Sequence, residues 1–249
     1  MIKIFEDEQA VTNQVAKEMM QHLLNDENPV FCLASGTTPK KSYLQFVGEA
    51  KNNPRLKDLR IVSLDEWVGI DRTSEGSCYQ MLNKDLFSPL ELRDSQIEFF
   101  DGTAPDFQNE CHRIDRFIEN NPITFSLMGV GMNGHIGLNE PGCSVLDHSC
   151  VVDLSEKTKI VAQKYFNQPT SLKKGITLGL GQIMKSKRVI VVMTGERKAE
   201  IAKEIIMNRE AQLPAQVLLG YDHIDFYLDR EAAKWIDEAS LKKENDLHE

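Results

Sequence analysis

Short apolar runs alternating with longer segments of helical spacing are the feature that most constrains this chain. Runs over residues 30–34, 59–64, 123–130 and 189–194 are largely apolar along their whole length. They lack the regular polar alternation of a strand with one wet face, so each reads as a strand buried on both faces. Between them lie amphipathic stretches. After Glu8, Ala10, Val11, Val15, Met19, Leu23 and Leu24 form a stripe at steps of three and four, the spacing of one helix face. Further helices are expected over 39–50, 76–87, 106–120, 196–209 and 230–238. Buried strands alternating with helices predict an α/β fold around a mostly parallel sheet. No internal repeat or Pro-, Gly- or Ser-rich linker divides the chain before the charged end at 240–249, so a single domain over 1–249 is expected. In such sheets ligands bind where strands end and loops begin helices.

The charge balance narrows the partners. With 29 Lys and Arg against 38 Asp and Glu, the net charge is −9. A field of that sign repels a nucleic-acid backbone, so no nucleic-acid partner is expected, and a phosphate-bearing substrate must meet a local patch of donors. The opening MIKIFEDEQA lacks a basic region followed by an apolar one, and no apolar stretch of about 20 residues occurs. A cytoplasmic chain with no membrane partner is the expectation. Cys32, Cys78, Cys111, Cys143 and Cys150 are odd in number and include no C-x-x-C pair. Neither a disulfide framework nor a zinc site is expected, and each thiol reads as a small apolar filler or a surface group.

Four strand ends carry unusual residues. The first leads into Ala34-Ser35-Gly36-Thr37-Thr38-Pro39. Gly36 permits close backbone approach, three hydroxyls follow one another, and Pro39 suits a first helical position. The turn is either an anion cradle at a helix start or an ordinary Thr-capped turn; the G-K-[ST] ending of a P-loop is absent. The second strand ends in Asp65-Glu66. Successive strand residues point to opposite faces, so one carboxylate is expected in the crevice and the other on a hydrogen-bond partner. A partly desolvated Asp gains proton affinity and suits a general base; a solvated loop pair is the alternative.

The third strand runs into Gly129-Val130-Gly131-Met132-Asn133-Gly134-His135-Ile136-Gly137-Leu138-Asn139-Glu140-Pro141-Gly142. The literal G-x-G-x-x-G does not make a dinucleotide site, because Pro141 and Gly142 interrupt the helix that the fingerprint requires. A glycine-dense loop holding Asn133, His135 and Glu140 reads instead as a place where backbone and polar groups converge on a ligand. The five-residue step from His135 to Glu140 is no metal-ligand spacing. The fourth strand leads to Gly195-Glu196-Arg197-Lys198. A lysine at a helix start opposes the helix dipole unless an anion is bound there; a solvent-facing lysine is the alternative.

Together these residues resemble the glucosamine-6-phosphate deaminase (isomerase) family. The resemblance runs from about Ile2 to Trp235 and rests on ASGTTP at 34–39, LDEWVG at 64–69, GVGMNGHIGLNEPG at 129–142, TLGLGQIM at 177–184 and TGERKA at 194–199. It implies a modified Rossmann-like sheet with helices on both faces. By the same resemblance, Ser35, Gly36, Thr37 and Thr38 would hold a sugar phosphate with Lys198 as charged partner. Asp65 would shuttle a proton between C2 and C1, and His135, oriented by Glu140, would assist ring opening. No metal or redox cofactor is implied.

Three departures from the family pattern stand out. Asn133 replaces an Asp found in many members, although shorter members resemble this chain there; an amide can orient an imidazole but cannot stabilise its cation by charge. Lys164 stands where an Arg reaches the phosphate, giving a point charge in place of a guanidinium fork. Cys150 and Val152 occupy positions that are basic in larger, allosteric members, so no such activation is expected, and a monomer or small homo-oligomer is. A galactosamine-6-phosphate deaminase yielding tagatose 6-phosphate, a 6-phosphogluconolactonase and a non-catalytic sugar-phosphate sensor are the rival readings. The polar segment 157–171 is a candidate lid.

Overall fold

The computed structural model describes residues 1–208 and 210–237. The charged end at 240–249 and the final residues of the helices expected over 196–209 and 230–238 lie outside the described residues. In chain order the strands are β1 (Ile2–Phe5), β2 (Val30–Leu33), β3 (Arg60–Ser63), β4 (Asp65–Trp67), β5 (Ile97–Glu98), β6 (Phe125–Gly129), β7 (Cys150–Asp153), β8 (Lys174–Thr177), β9 (Val189–Met193) and β10 (Ile224–Asp229). The α-helices are α1 (Glu8–Asn25), α2 (Lys40–Ala50), α3 (Cys78–Leu82), α4 (Phe107–Asn120), α5 (Glu156–Ala162), α6 (Leu180–Met184), α7 (Ala199–Met207) and α8 (Arg230–Ala233).

Among the described residues, seven strands pair in the order β1-β10-β9-β6-β2-β3-β5, every pair parallel. The four expected strands are the centre of this sheet as β2, β3, β6 and β9. Side chains alternate between its faces. Phe31, Leu33, Leu127 and Val192 pack with Val11, Val15, Met19 and Leu23 of α1 and with Tyr43 and Phe46 of α2. Val30, Cys32, Met128 and Val191 pack with Ile114 of α4 and with Ile201 and Ile205 of α7. Helices therefore cover both faces. The α1 stripe is buried as its spacing predicts, except that Ala10 is half-buried and Leu24 exposed, and Asp7 caps the helix by accepting from the Ala10 amide at 2.8 Å.

Beyond the expected pattern, β4, β8 and β7 make a small antiparallel sheet in which Thr177 pairs with both Asp65 and Cys150. It follows β3 directly and so stands at the carboxyl end of the main sheet. The helix expected over 76–87 is α3 continued by a wider turn over Asn83–Phe87, and the one expected from residue 230 is helical only to Ala233. No helix among the described residues is long and apolar enough to cross a membrane.

Candidate active site

A cleft of about 560 Å³ opens where β2, β3, β6 and β9 end and β4 begins. Ser35, Thr37, Thr38, Asp65, Asn133, His135, Lys164 and Lys198 all line it. Gly36 and Glu140 lie one layer back, Gly36 beneath the Tyr165 ring and Glu140 behind His135.

One end of the cleft gathers features that suit an anion. At Gly36 the backbone has φ +97°, and a Cβ there would lie 2.7 Å from the Tyr165 hydroxyl oxygen. Glycine alone meets both conditions. Pro39 takes the cap position rather than the first helical one, and no side chain caps α2. Amide N–H groups at the start of α2 thus have no side-chain acceptor and are open to a ligand. Opposite, a short turn over Glu196–Lys198 precedes α7, with Lys198 as its cap residue. The Lys198 ammonium donates to the Val130 carbonyl. Burial, reinforced by the charges of Lys164 and Lys157, pulls its pKa down to about 8. Lys164 lies 4.8 Å from the Tyr165 ring centroid. An arriving phosphate would relieve the mutual repulsion of these ammonium groups.

The adjacent carboxylates divide as their alternation predicts. Asp65 faces the cleft. Burial raises its pKa to about 6, despite the neighbouring Cys78 thiol and the charge of His135, which oppose the rise. Glu66 points away and accepts amide hydrogens from Trp67 at 2.8 Å, Cys78 at 2.9 Å and Tyr79 at 3.0 Å. It thereby pins the start of α3, and with it Cys78, against Asp65. The Cys78 thiol lies beside both Ser35 and Asp65, between the anion turn and the carboxylate.

No helix follows β6 in the glycine-rich loop: 130–149 is turn and coil. Asn139 ties the loop to β8, its amide donating to Ile136 and Leu178 carbonyls at 2.9 and 2.8 Å. The His135 ring lies flat against Gly131, where a Cβ would sit 2.3 Å from Cε1 and Nε2. Glu140 Oε2 is 3.7 Å from His135 Nδ1. Burial works against the Glu140 charge, but the nearby His135 ring and Thr158 hydroxyl, with hydrogen bonds from the Ser155 amide and Asn133, outweigh it and hold the carboxyl near a pKa of about 2. It is a fixed anion behind the imidazole. Asn133 does not orient the ring directly. Its amide donates to Glu140 Oε2 at 2.7 Å and to Ser155 Oγ at 3.2 Å, which uses both hydrogens, and its oxygen faces the His135 backbone amide at 3.4 Å.

Several cleft residues were not singled out by the sequence reading. Lys157 and Arg197 add positive charge. Thr158 meets His135 Nδ1 at 3.2 Å, and Cys78, packed in the apolar core as expected, also lines the cleft. Ser155 accepting from the Thr158 amide is a helix-cap pattern that locates α5 but not its neighbours. The segment 157–171 forms one wall, with Tyr165 over Gly36 and Phe166 against Gly76.

A family model for glucosamine-6-phosphate isomerases and 6-phosphogluconolactonases matches residues 6–225. A glucosamine-6-phosphate deaminase of Halalkalibacterium halodurans is 31% identical over 223 residues, covering 88% of this chain and 91% of its own. One of Clostridium botulinum (strain Eklund 17B) is 30% identical over 245 residues, covering 97% and 98%. The solved structure of a monomeric glucosamine-6-phosphate deaminase superposes with a TM-score of 0.87 at 28% identity, covering 94% of this chain and 98% of the other. A 6-phosphogluconolactonase from Thermotoga maritima shares the fold at a TM-score of 0.74 and 19% identity, covering 92% and 99%. The chain belongs to the glucosamine-6-phosphate isomerase and 6-phosphogluconolactonase family.

Proposed function

We propose that this chain is a hexosamine-6-phosphate deaminase that converts glucosamine 6-phosphate and water to fructose 6-phosphate and ammonia. The observation that carries this reading is the convergence of two proton-transfer groups, Asp65 and the His135–Glu140 pair, in a cleft with a cationic end. A sensor would need only the phosphate contacts. The sugar phosphate sits on the Ser35–Thr38 turn, with Lys198 and Lys164 as counter-charges. His135 takes the O1 proton of the closed ring and delivers it to O5, opening the chain. Asp65, largely ionised above pH 6, removes the C2 proton and returns it to C1 through an enol-amine. The imine left at C2 adds water and releases ammonia, leaving the ketose phosphate. Each positioned acid or base contributes about 10²–10⁴-fold, and the remote phosphate holds the open chain against Asp65.

Two related proposals concern surroundings. Cys150 and Val152 on β7 offer no positive charge, which supports an enzyme without a second sugar-phosphate site, acting as a monomer or small homo-oligomer. A cytoplasmic location fits a phosphorylated metabolite as substrate.

The test is ammonia release from glucosamine 6-phosphate and, in parallel, galactosamine 6-phosphate. Release from the gluco epimer alone is expected. Release from the galacto epimer alone would reassign the substrate, and release from neither with ligand still bound would favour a sensor. A sharper check is Gly131→Ala, whose methyl must displace the imidazole. Since a misplacement of about 1 Å can cost about 10²-fold, kcat should fall by roughly that factor with KM nearly unchanged. Unaltered kcat would mean that the ring position does not matter.

A further inference from the structure

We infer that Glu66 is a positioning residue for Asp65: its buried carboxylate hooks β4 to the start of α3 and so holds the proton-transfer group at one place in the cleft. This role rests on the deaminase reading. Little else holds β4. The strand is three residues long and pairs with β8 alone, Asp65 opposite Thr177, Glu66 opposite Ile176 and Trp67 opposite Gly175. Its other edge has no strand beside it among the described residues. So short a pairing is marginal by itself.

Asp65 and Glu66 leave the strand on opposite faces, and Glu66 is fully buried. Its Oε1 accepts from the Trp67 amide at 2.8 Å and the Cys78 amide at 2.9 Å, and its Oε2 from the Tyr79 amide at 3.0 Å. A helix start leaves amide hydrogens without carbonyl partners. In α3, Ser77 serves the next two amides: its hydroxyl oxygen takes Gln80 at 2.9 Å and its carbonyl takes Met81 at 3.1 Å. Cys78 and Tyr79 are left, and Glu66 is the acceptor for both. All three partners of the carboxylate are donors, so the site needs two acceptor oxygens. A glutamine would turn an N–H group toward one of those donors. An aspartate, one methylene shorter, would not span the gap to the helix. Burial, helped by the charge of Asp65, pushes the Glu66 pKa up to about 7 against the three amide hydrogen bonds, so the hook is ionised above that pH.

The consequence falls one residue away. A peptide bond joins Glu66 to Asp65, and Cys78, which lies beside Asp65, is the first residue of α3. The hook therefore fixes both Asp65 and the wall that Asp65 faces. The Ser35–Thr38 turn and Lys198 belong to other elements. Loss of the hook should accordingly disturb proton transfer at C2 more than capture of the phosphate.

Amide hydrogen exchange of the full-length, unsubstituted protein is the first test. First-turn helix amides without acceptors exchange quickly. Those of Cys78 and Tyr79 should instead be protected like the amides of β2 and β6, and fast exchange would overturn the inference. The second test is kinetic, at pH 7.5. Glu66→Gln and Glu66→Asp should each lower kcat about 10²-fold, the cost of a misplacement of about 1 Å, with KM within about threefold. The isotope effect on kcat with glucosamine 6-phosphate deuterated at C2 should rise in both, because removal of that hydrogen becomes the slow step. A variant that merely folded less well would yield less active enzyme and leave the isotope effect where it was. An isotope effect that does not rise, or a loss carried by KM, would overturn the inference. If neither variant folds, exchange in the unsubstituted protein decides. No ammonia release from the unsubstituted protein would sink the deaminase reading, while protection of Cys78 and Tyr79 would still report on the hook.

Discussion

Asp65→Asn is expected to cut ammonia release by at least about 10²–10⁴-fold and at the same time to stabilise the folded chain. Both effects come from burial. Burial, the largest influence on Asp65, raises its pKa to about 6 from an ordinary 3.8, so the folded state binds that proton more tightly than the unfolded one. Stability is then lost as pH rises from about 4 through 6, and above 6 the full cost of a buried charge is present. An asparagine never carries that charge. The gain should be on the order of 3 kcal/mol at pH 7.5 and should vanish below about pH 4. Thermal unfolding at both pH values, beside ammonia release and calorimetric binding of the ketose phosphate, checks it. The same group predicts that kcat/KM of the unsubstituted enzyme falls as pH drops through about 6. Surviving turnover in Asp65→Asn would place the base elsewhere.

Lys198→Ala should act on a different constant. A hydrogen-bonded ammonium facing a phosphate is worth about 1.5–3 kcal/mol, so kcat/KM should fall about 10–100-fold, mostly through KM. Because burial and the charges of Lys164 and Lys157 lower the Lys198 pKa to about 8, kcat/KM of the unsubstituted enzyme should decline again as pH rises through that value. This alkaline limb should be missing from the alanine variant. A pH–rate profile of both proteins is the measurement. If the variant keeps its limb, or loses kcat with KM unchanged, Lys198 does not hold the phosphate.

The residues most legible in the sequence are those whose neighbours determine them locally. Asp65 and Glu66 could be assigned to opposite sides from strand alternation alone, and Pro141 and Gly142 ruled out a helix after β6. β10 was hidden because Asp225 and Asp229 interrupt its apolar run. Both are buried because Asp225 meets Arg188 at 2.6 Å, Lys3 at 2.7 Å and the N-terminal amine at 2.9 Å. Asp229 accepts from the Gly195 and Ala232 amides. β4, β7 and β8 are only three or four residues long, too short for a period to register. Thr158 lay beyond reach for a tertiary reason: its meeting with His135 spans 23 residues and depends on where α5 docks.

Strand order also determines the sequence in which the cleft is assembled as the chain is synthesised. β2, β3, β5 and β6 pair among themselves and carry the Ser35 turn into place, whereas Asp65 on β4 waits for β8, since it pairs with Thr177. β9 follows, with Lys198 just behind it, and β1 has no partner until β10 emerges, since Ile2 pairs with Phe226. Pairings so distant in sequence close slowly, and domains of this size commonly pass through partly formed states. A growing chain therefore holds the Ser35 turn well before Asp65 and Lys198 are set opposite it, and the cleft is complete only once β8 and β9 have been made.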